Sequence, residues 1–247
     1  MSGLRSAAGL ARSLVIYYSR PHRIGRTARL YRQFAGPGDV VFDIGGHVGN
    51  RSLALRRTGA RVVTLEPQRL FFRFLKRTMP SDITVLQLAA GPRADRAAMQ
   101  VSSLHPTVSS LRADIETAVR TDRGFAGVAW DDAETVDMTT LDELIARFGR
   151  PAFIKIDVEG FEDQVLAGLS APVAALAFEF LPSMADVAAA CIARLDSLAR
   201  YEFNFMTGEK LRFQSREWVD GEAVYGMVRQ VMKDGRSGDI YARLANG

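Results

Sequence analysis

The sequence predicts an α/β fold in which a mostly parallel β-sheet is covered by helices on both faces. From position 40 onward, short apolar runs rich in β-branched and aromatic residues alternate with amphipathic helical segments. The first of these runs ends in an acid followed by closely spaced glycines, which is typical of a ligand-binding strand–turn–helix unit. The length of 247 residues, 47% hydrophobic and 24% charged, suits one large globular domain.

The individual elements follow from local patterns in chain order. Gly59 suits the end of the first helix after the glycine turn, Pro67 suits the start of the next, and Thr140 with Glu143 resembles a capping box. The predicted strands are 40–42, 61–65, 83–88, 153–156, 173–180, 201–205 and 239–244. The predicted helices run from the glycine turn to 57, over 67–79, from the capping box to 148, and over 161–169, 184–199 and 219–232.

The chain divides into an amino-terminal extension, 1–36, and a main domain, 37–247. The extension is expected to form one or two helices, interrupted at Arg20-Pro21, and a Gly-Pro-Gly breaker at 36–38 precedes the first strand. Residues 91–138 are weakly patterned, which is typical of a lid or substrate-binding insert. The alternative is a decorated connection with one hairpin around 99–101.

Charge and cysteine content bear on the location of the protein and on its contacts. The first forty residues hold seven arginines and one aspartate, whereas the whole chain has a net charge of only +4. The favoured interpretation is a solvated arginine-rich helical face, and the alternative is contact with an anionic membrane surface or an acidic substrate. The apolar run 14–18 is too short to span a bilayer, and no signal peptide is expected. A lone Cys191, expected in the core, excludes an intrachain disulfide and favours a cytoplasmic location.

The glycine turn predicts the chemistry of the ligand. Gly45, Gly46 and Gly49 allow a tight turn and close approach to the backbone, and the helix that begins near Asn50 offers N–H groups to an anion. The carboxylate of Asp43 lies just before this turn. A site with both a carboxylate and anion-binding amides suits a zwitterion, such as the amino-acid end of S-adenosylmethionine.

A second acid distinguishes the nucleotide classes. Glu66 ends the second strand, where a carboxylate accepts hydrogen bonds from ribose hydroxyls; an acid that caps the strand without a ligand is the alternative. The dinucleotide fingerprint G-x-G-x-x-G fails because its first glycine position is Ile44. A P-loop is excluded because no Gly-Lys-Ser or Gly-Lys-Thr follows the turn.

Six segments occur in the order found in one protein family. They are 42–50, 66–67, 89–91, 109–111, 140–144 and 154–162, and the last, which reads Ile-Lys-Ile-Asp-Val-Glu-Gly-Phe-Glu, is the most specific. On these segments the chain resembles the FkbM family of S-adenosylmethionine-dependent methyltransferases. The resemblance implies a class I methyltransferase fold, a Rossmann-like three-layer sandwich with a seven-stranded sheet whose last strand is antiparallel.

The resemblance also implies the reaction and the substrate class. We expect an O-methyltransferase that acts on a hydroxyl of a saccharide, glycolipid or secondary metabolite and releases S-adenosylhomocysteine. An N-methyltransferase on an amine or amino sugar is the nearest alternative, and a non-catalytic S-adenosylmethionine-binding subunit is another. A nucleic-acid substrate is not expected, because no nucleic-acid module is recognisable.

Several residues are candidates for these roles. Asp157, Glu159 and His47 are the candidate general bases, and the sequence leaves the choice among them open. The predicted cofactor-binding residues are Asp43, Gly45, Gly46, His47, Gly49, Asn50, Glu66, Pro67, Gln87, Leu88, Ala89 and Asp157. The predicted substrate-binding residues are Ser109, Ser110, Glu159 and Glu179, the two serines by resemblance only.

Two further expectations concern charge and metal. Glu179 and Lys155 lie inside apolar strands, so each needs a partner, and the two could satisfy each other. No metal is expected, because nothing in the sequence has ligand spacing. A magnesium-assisted reaction with Asp157, Glu159 and His47 as ligands is the minority alternative.

Overall fold

The computed structural model describes the backbone of residues 2–19, 22–120, 122–208 and 210–245, and the side chains of these residues except 2–5 and 123. The predicted interruption at Arg20-Pro21 lies outside the described residues.

A seven-stranded sheet forms the centre of the molecule and confirms the predicted fold class. Its order is β3-β2-β1-β7-β8-β10-β9, and β10 is antiparallel to both of its neighbours while the other pairs are parallel. The strands of this sheet are β1 Val40–Ile44, β2 Arg61–Leu65, β3 Thr84–Leu86, β7 Phe153–Ile156, β8 Ala175–Phe180, β9 Tyr201–Thr207 and β10 Gly238–Leu244. The numbering leaves β4 to β6 for a second, smaller sheet.

Nine α-helices occur among the described residues. They are α1 Ser2–Tyr18, α2 His22–Tyr31, α3 Asn50–Arg56, α4 Arg69–Thr78, α5 Ile115–Ala118, α6 Leu141–Phe148, α7 Glu162–Ala167, α8 Ala185–Leu198 and α9 Gly221–Lys233. The predicted capping box is present, since the Thr140 hydroxyl accepts from the Glu143 N–H at 3.0 Å and the Glu143 side chain accepts from the Thr140 N–H. Predicted and observed ends differ by one or two residues at most of these helices.

The insert contains more regular structure than its sequence pattern indicated. Strands β4 Ala89–Ala90, β5 Asp95–Val101 and β6 Asp132–Thr139 form a three-stranded sheet in the order β4-β6-β5. The strand predicted around 99–101 exists, but its main antiparallel partner is β6, more than thirty residues later, rather than an adjacent hairpin strand. A single bridge joins Gln100 to Ser110. Strand β6 escaped prediction because only two of its eight residues are buried.

Alternation along the strands divides the core between the two faces of the sheet. Phe42 and Ile44 pack on one face, whereas Val41 between them packs on the other. The second face is completed by the amino-terminal extension, because Ile24, Ala28 and other apolar residues of α2 are buried against it. Among the described helices, none combines the length and the apolarity that crossing a bilayer requires.

Candidate active site

The glycine turn after β1 is packed too closely for side chains. Gly45 has a φ of +90°, and a Cβ atom there would lie 1.9 Å from the carbonyl oxygen of Asp157. A Cβ at Gly46 would lie 2.3 Å from Cγ2 of Thr64. The turn therefore rests directly on β2 and on the segment after β7, which brings the carboxyl ends of these three strands together.

Glu66 holds this turn in place. Its Oε2 accepts the His47 N–H at 2.7 Å, and its Oε1 accepts the Gln68 N–H at 2.8 Å. Burial raises the pKa of the Glu66 carboxyl to about 7, although the two backbone hydrogen bonds oppose the rise. The ribose-binding role predicted for Glu66 would use the oxygen lone pairs that these bonds leave free.

Asp43 lies beneath the turn rather than in the open site. Its side chain is fully buried, and its Oδ2 accepts the Ser52 hydroxyl at 2.5 Å. Its Oδ1 has no hydrogen-bond partner among the described residues. Burial raises the pKa of the Asp43 carboxyl to about 6, so this group is within reach of titration near neutral pH.

A cavity opens above the turn, and most of the predicted cofactor-binding residues line it. Ten predicted site residues line it: Gly45, His47, Glu66, Pro67, Leu88, Ala89, Ser109, Ser110, Asp157 and Glu159. Asp43, Gly46, Gly49, Asn50, Gln87 and Glu179 do not line it. Gln87 is exposed, and Asn50 and Glu179 line a second cleft nearby. We refer to these spaces as the cofactor cavity and the second cleft.

Helix α1 covers the turn at His47. The Ser13 hydroxyl lies 3.0 Å from the His47 Nε2, and the Tyr18 hydroxyl donates to the Val48 carbonyl at 2.8 Å. The imidazole is packed against the ring of Phe71, with 4.5 Å between centroids. Burial lowers the His47 pKa to about 4, so the ring is neutral at physiological pH. The sequence did not reveal this cover, because nothing in it pairs position 13 with position 47.

Three carboxylates meet at the edge of the cofactor cavity and form what we call the acid cluster. Asp157, Glu159 and Glu179 each place an oxygen within 4.8 Å of the others. Asp157 is ion-paired to the Arg51 guanidinium at the start of α3. Glu159 has a φ of +56°, a conformation that costs energy in a residue with a side chain and is common at functional sites.

The members of the acid cluster differ in charge. Burial is the largest single influence and would raise the pKa of Asp157, but the charges of Arg51 and Lys155 and a hydrogen bond with Glu179 together outweigh it and hold this pKa below its ordinary value. Burial and the neighbouring carboxylates raise the pKa values of Glu159 and Glu179 well above the ordinary range. The surroundings therefore favour the ionised form of Asp157 and the protonated forms of Glu159 and Glu179. Its three oxygens are also a donor set suited to a hard divalent cation.

The surrounding contacts correct one prediction and explain others. Lys155 does not pair with Glu179; its Nζ donates to Asp239 Oδ1 on β10 at 2.8 Å, because β10 rather than β9 adjoins β8. The Ser110 hydroxyl donates to the Glu159 carbonyl at 2.7 Å, which ties the insert to the acid cluster. Arg51 and Asp239 were missed as site residues, although Arg51 directly follows the predicted turn motif.

Comparison with known proteins places this geometry in a family. The sequence model of the FkbM methyltransferase domain matches residues 43–234. No curated protein sequence matches the chain at the significance required.

Solved structures with a similar chain path include three methyltransferases, all distant. A precorrin-6y C5,15-methyltransferase from Geobacter metallireducens is 11% identical, with 89% of this chain and 86% of that chain covered and a TM-score of 0.47. An O-methyltransferase from Bacillus cereus in complex with S-adenosylhomocysteine is 12% identical, with 96% and 90% covered and a TM-score of 0.42. A TehB-like S-adenosylmethionine-dependent methyltransferase from Corynebacterium glutamicum is 11% identical, with 88% and 87% covered and a TM-score of 0.43. At this low identity these structures resemble the chain in its path only, and the family follows from the match over residues 43–234. The chain belongs to the FkbM family of methyltransferases, which use S-adenosylmethionine as methyl donor.

Proposed function

We propose that this methyltransferase transfers the methyl group to a hydroxyl oxygen of a saccharide, glycolipid or secondary metabolite. The observation that carries the proposal is the acid cluster at the edge of the cofactor cavity. An alcohol is a weak nucleophile until its proton is removed, and a carboxylate at the reaction centre supplies the base. An amine acceptor needs less help from a base, because its neutral form is already nucleophilic, so the cluster favours oxygen over nitrogen.

The cofactor, when bound, supplies an electrophilic methyl group on a sulfonium. The residues around the cavity then have three tasks. The glycine turn and Glu66 hold the backbone against which the cofactor binds, the acid cluster orients the acceptor hydroxyl, and helix α1 with the insert excludes water. A carboxylate of the acid cluster would accept the hydroxyl proton as the cofactor's methyl group is transferred to the acceptor oxygen.

Asp157 is the member of the cluster that we propose as base. It is ionised before the reaction, because Arg51 stabilises its charge, and it lines the cofactor cavity. Burial favours the protonated forms of Glu159 and Glu179, which would instead donate hydrogen bonds. His47 is the poorer candidate, because the Ser13 hydroxyl of α1 lies 3.0 Å from its Nε2 and the imidazole packs against the ring of Phe71.

Calorimetric titration with S-adenosylhomocysteine tests the cofactor part of the proposal. We expect binding by the wild type, none by a Glu66→Ala variant, and none of NAD by either protein. Tritiated methyl transfer to a panel of glycosides and amino sugars then tests the acceptor. Asp157→Asn should abolish transfer while S-adenosylhomocysteine still binds; a variant that loses only acceptor affinity would indicate an amine acceptor, and binding without any transfer would indicate a non-catalytic subunit.

A further inference from the structure

The second cleft is a polar opening that shares the acid cluster with the cofactor cavity, since Glu179 lines the cleft while Asp157 and Glu159 line the cavity. Its walls come from five parts of the chain: α1 and α2, the start of α3, the end of β8, the loop after β9, and β10. Thr27 of α2 lies on one wall and Ser237, just before β10, lies on another. The amino-terminal extension is thus part of this cleft and not only a support for the core.

The two spaces meet at the acid cluster. Glu179 lines the second cleft, whereas Asp157 and Glu159 line the cofactor cavity, and all three place oxygens within 4.8 Å of one another. Arg51 also lines the second cleft and is paired with Asp157. A molecule seated in the second cleft therefore reaches the same carboxylates that face the cofactor.

The lining of the second cleft matches a molecule rich in hydroxyl groups. Glu179 Oε2 has no hydrogen-bond partner among the described residues, and Asp239 lines the cleft with its side chain 20% exposed. The nearly buried Tyr31 and Tyr241 are also among the lining residues, and the exposed Lys210 adds an ammonium group. Acceptors and donors are thus mixed around one space, as recognition of hydroxyls requires, since each hydroxyl both donates and accepts.

We propose that the second cleft is the acceptor site and that it takes a polyhydroxylated acceptor, with the reacting hydroxyl directed at the acid cluster. This inference rests on the proposed function and deepens it. It assigns to α1 and α2 a specificity role, because they supply the wall against which the non-reacting part of the sugar would lie.

A single-cysteine experiment tests the cleft directly. The only native cysteine, Cys191, is fully buried, so a maleimide should label an engineered thiol selectively. Thr27→Cys and Ser237→Cys place thiols on two walls, and Met227→Cys, at an exposed position of α9, is the matched control. The alkylation rate by N-ethylmaleimide is measured with S-adenosylhomocysteine present, with and without methyl glycosides of glucose, galactose, mannose and rhamnose.

We expect at least one glycoside to slow alkylation in the cleft by about fivefold, the protection given by a ligand at four times its Kd, and to leave the control unchanged. Alkylated Thr27→Cys should keep its affinity for S-adenosylhomocysteine but lose methyl transfer to that glycoside. No protection of either cleft thiol by any glycoside would overturn the acceptor assignment. Full methyl transfer by the alkylated variant would also overturn the acceptor assignment, but it would leave the proposed function intact. Failure to bind S-adenosylhomocysteine would refute the proposed function separately.

Discussion

Replacement of Arg51 by methionine should destabilise the protein strongly. The Arg51 and Asp157 side chains are only 26% and 12% exposed, so the variant leaves a largely buried carboxylate without its counter-charge. Breaking a buried ion pair in this way lowers the free energy of unfolding by about 3–5 kcal/mol. Because Arg51 is partly exposed, we expect a loss of about 3 kcal/mol. For a chain of this length that corresponds to a fall in Tm of about 6–12 °C.

Thermal and urea unfolding measure this loss, and the same helix provides the control. Arg56 pairs with Asp82 at 2.8 Å, but the two side chains are 43% and 60% exposed. Arg56→Met removes the same chemistry from a site that water screens, so it should change the free energy of unfolding little. If Arg51→Met destabilises the protein no more than Arg56→Met does, the inference that Arg51 stabilises the charge of Asp157 is wrong.

The pH dependence provides an independent check. In the wild type the Asp157 pKa is below its ordinary value, so the ion pair contributes fully above that value and is lost as the pH falls through the lowered pKa. Without Arg51, burial should raise the Asp157 pKa above its unfolded value. The folded variant then binds a proton that the unfolded chain does not, and its stability rises as pH falls. The difference in free energy of unfolding between the variant and the wild type should therefore be larger at pH 7 than at pH 5.

Four further predictions concern the cofactor, the metal and the membrane. Glu66→Gln puts an amide donor against a backbone N–H, so affinity for S-adenosylhomocysteine, measured by calorimetry, should fall about tenfold. Unchanged affinity would contradict the inference that Glu66 holds the glycine turn in place. The His47 ring protons should show no NMR titration between pH 6 and 8, because burial lowers that pKa to about 4. Methyl transfer should persist in excess EDTA, because an arginine already neutralises the ionised member of the acid cluster. Finally, Val15 of α1 is 68% exposed and Arg26 of α2 is exposed, and we propose that this surface makes peripheral contact with an anionic membrane. Val15→Asp should therefore weaken sedimentation with phosphatidylglycerol vesicles, whereas the control Met227→Asp should not.

The order of strands and helices was predictable because each element of the main sheet has its own local pattern. Strand β7 is buried at all four of its positions and reads as a continuous apolar run apart from Lys155. The glycine turn was predictable because its glycines and the preceding acid are adjacent in sequence. Strand β6 was not, because it lies at the surface of the insert and few of its side chains are buried.

The site was predictable where its residues are neighbours in sequence and not where distant elements meet. Asp157 and Glu159 were identified from one short motif. Their charge state depends on Arg51, more than one hundred positions earlier, and the partner of Lys155 is 84 positions later. The cover over His47 likewise comes from α1, 34 residues earlier. No local pattern encodes such pairs, since they follow from strand order and helix packing.

The position of β10 between β8 and β9 has a consequence for synthesis on the ribosome. Strand β9 leaves the exit tunnel before β10. One of its edges forms a bridge between Phe203 and Val219, but the edge that faces β10 stays unpaired until β10 emerges. Lys155 also lacks its carboxylate partner until β10 emerges, because Asp239 is on that strand. Nascent chains that lack this strand hold an unneutralised ammonium beside the forming core. Completion of the sheet, neutralisation of the buried lysine and closure of the second cleft therefore become one late folding event, which ribosome-bound chains of increasing length would reveal as a single step.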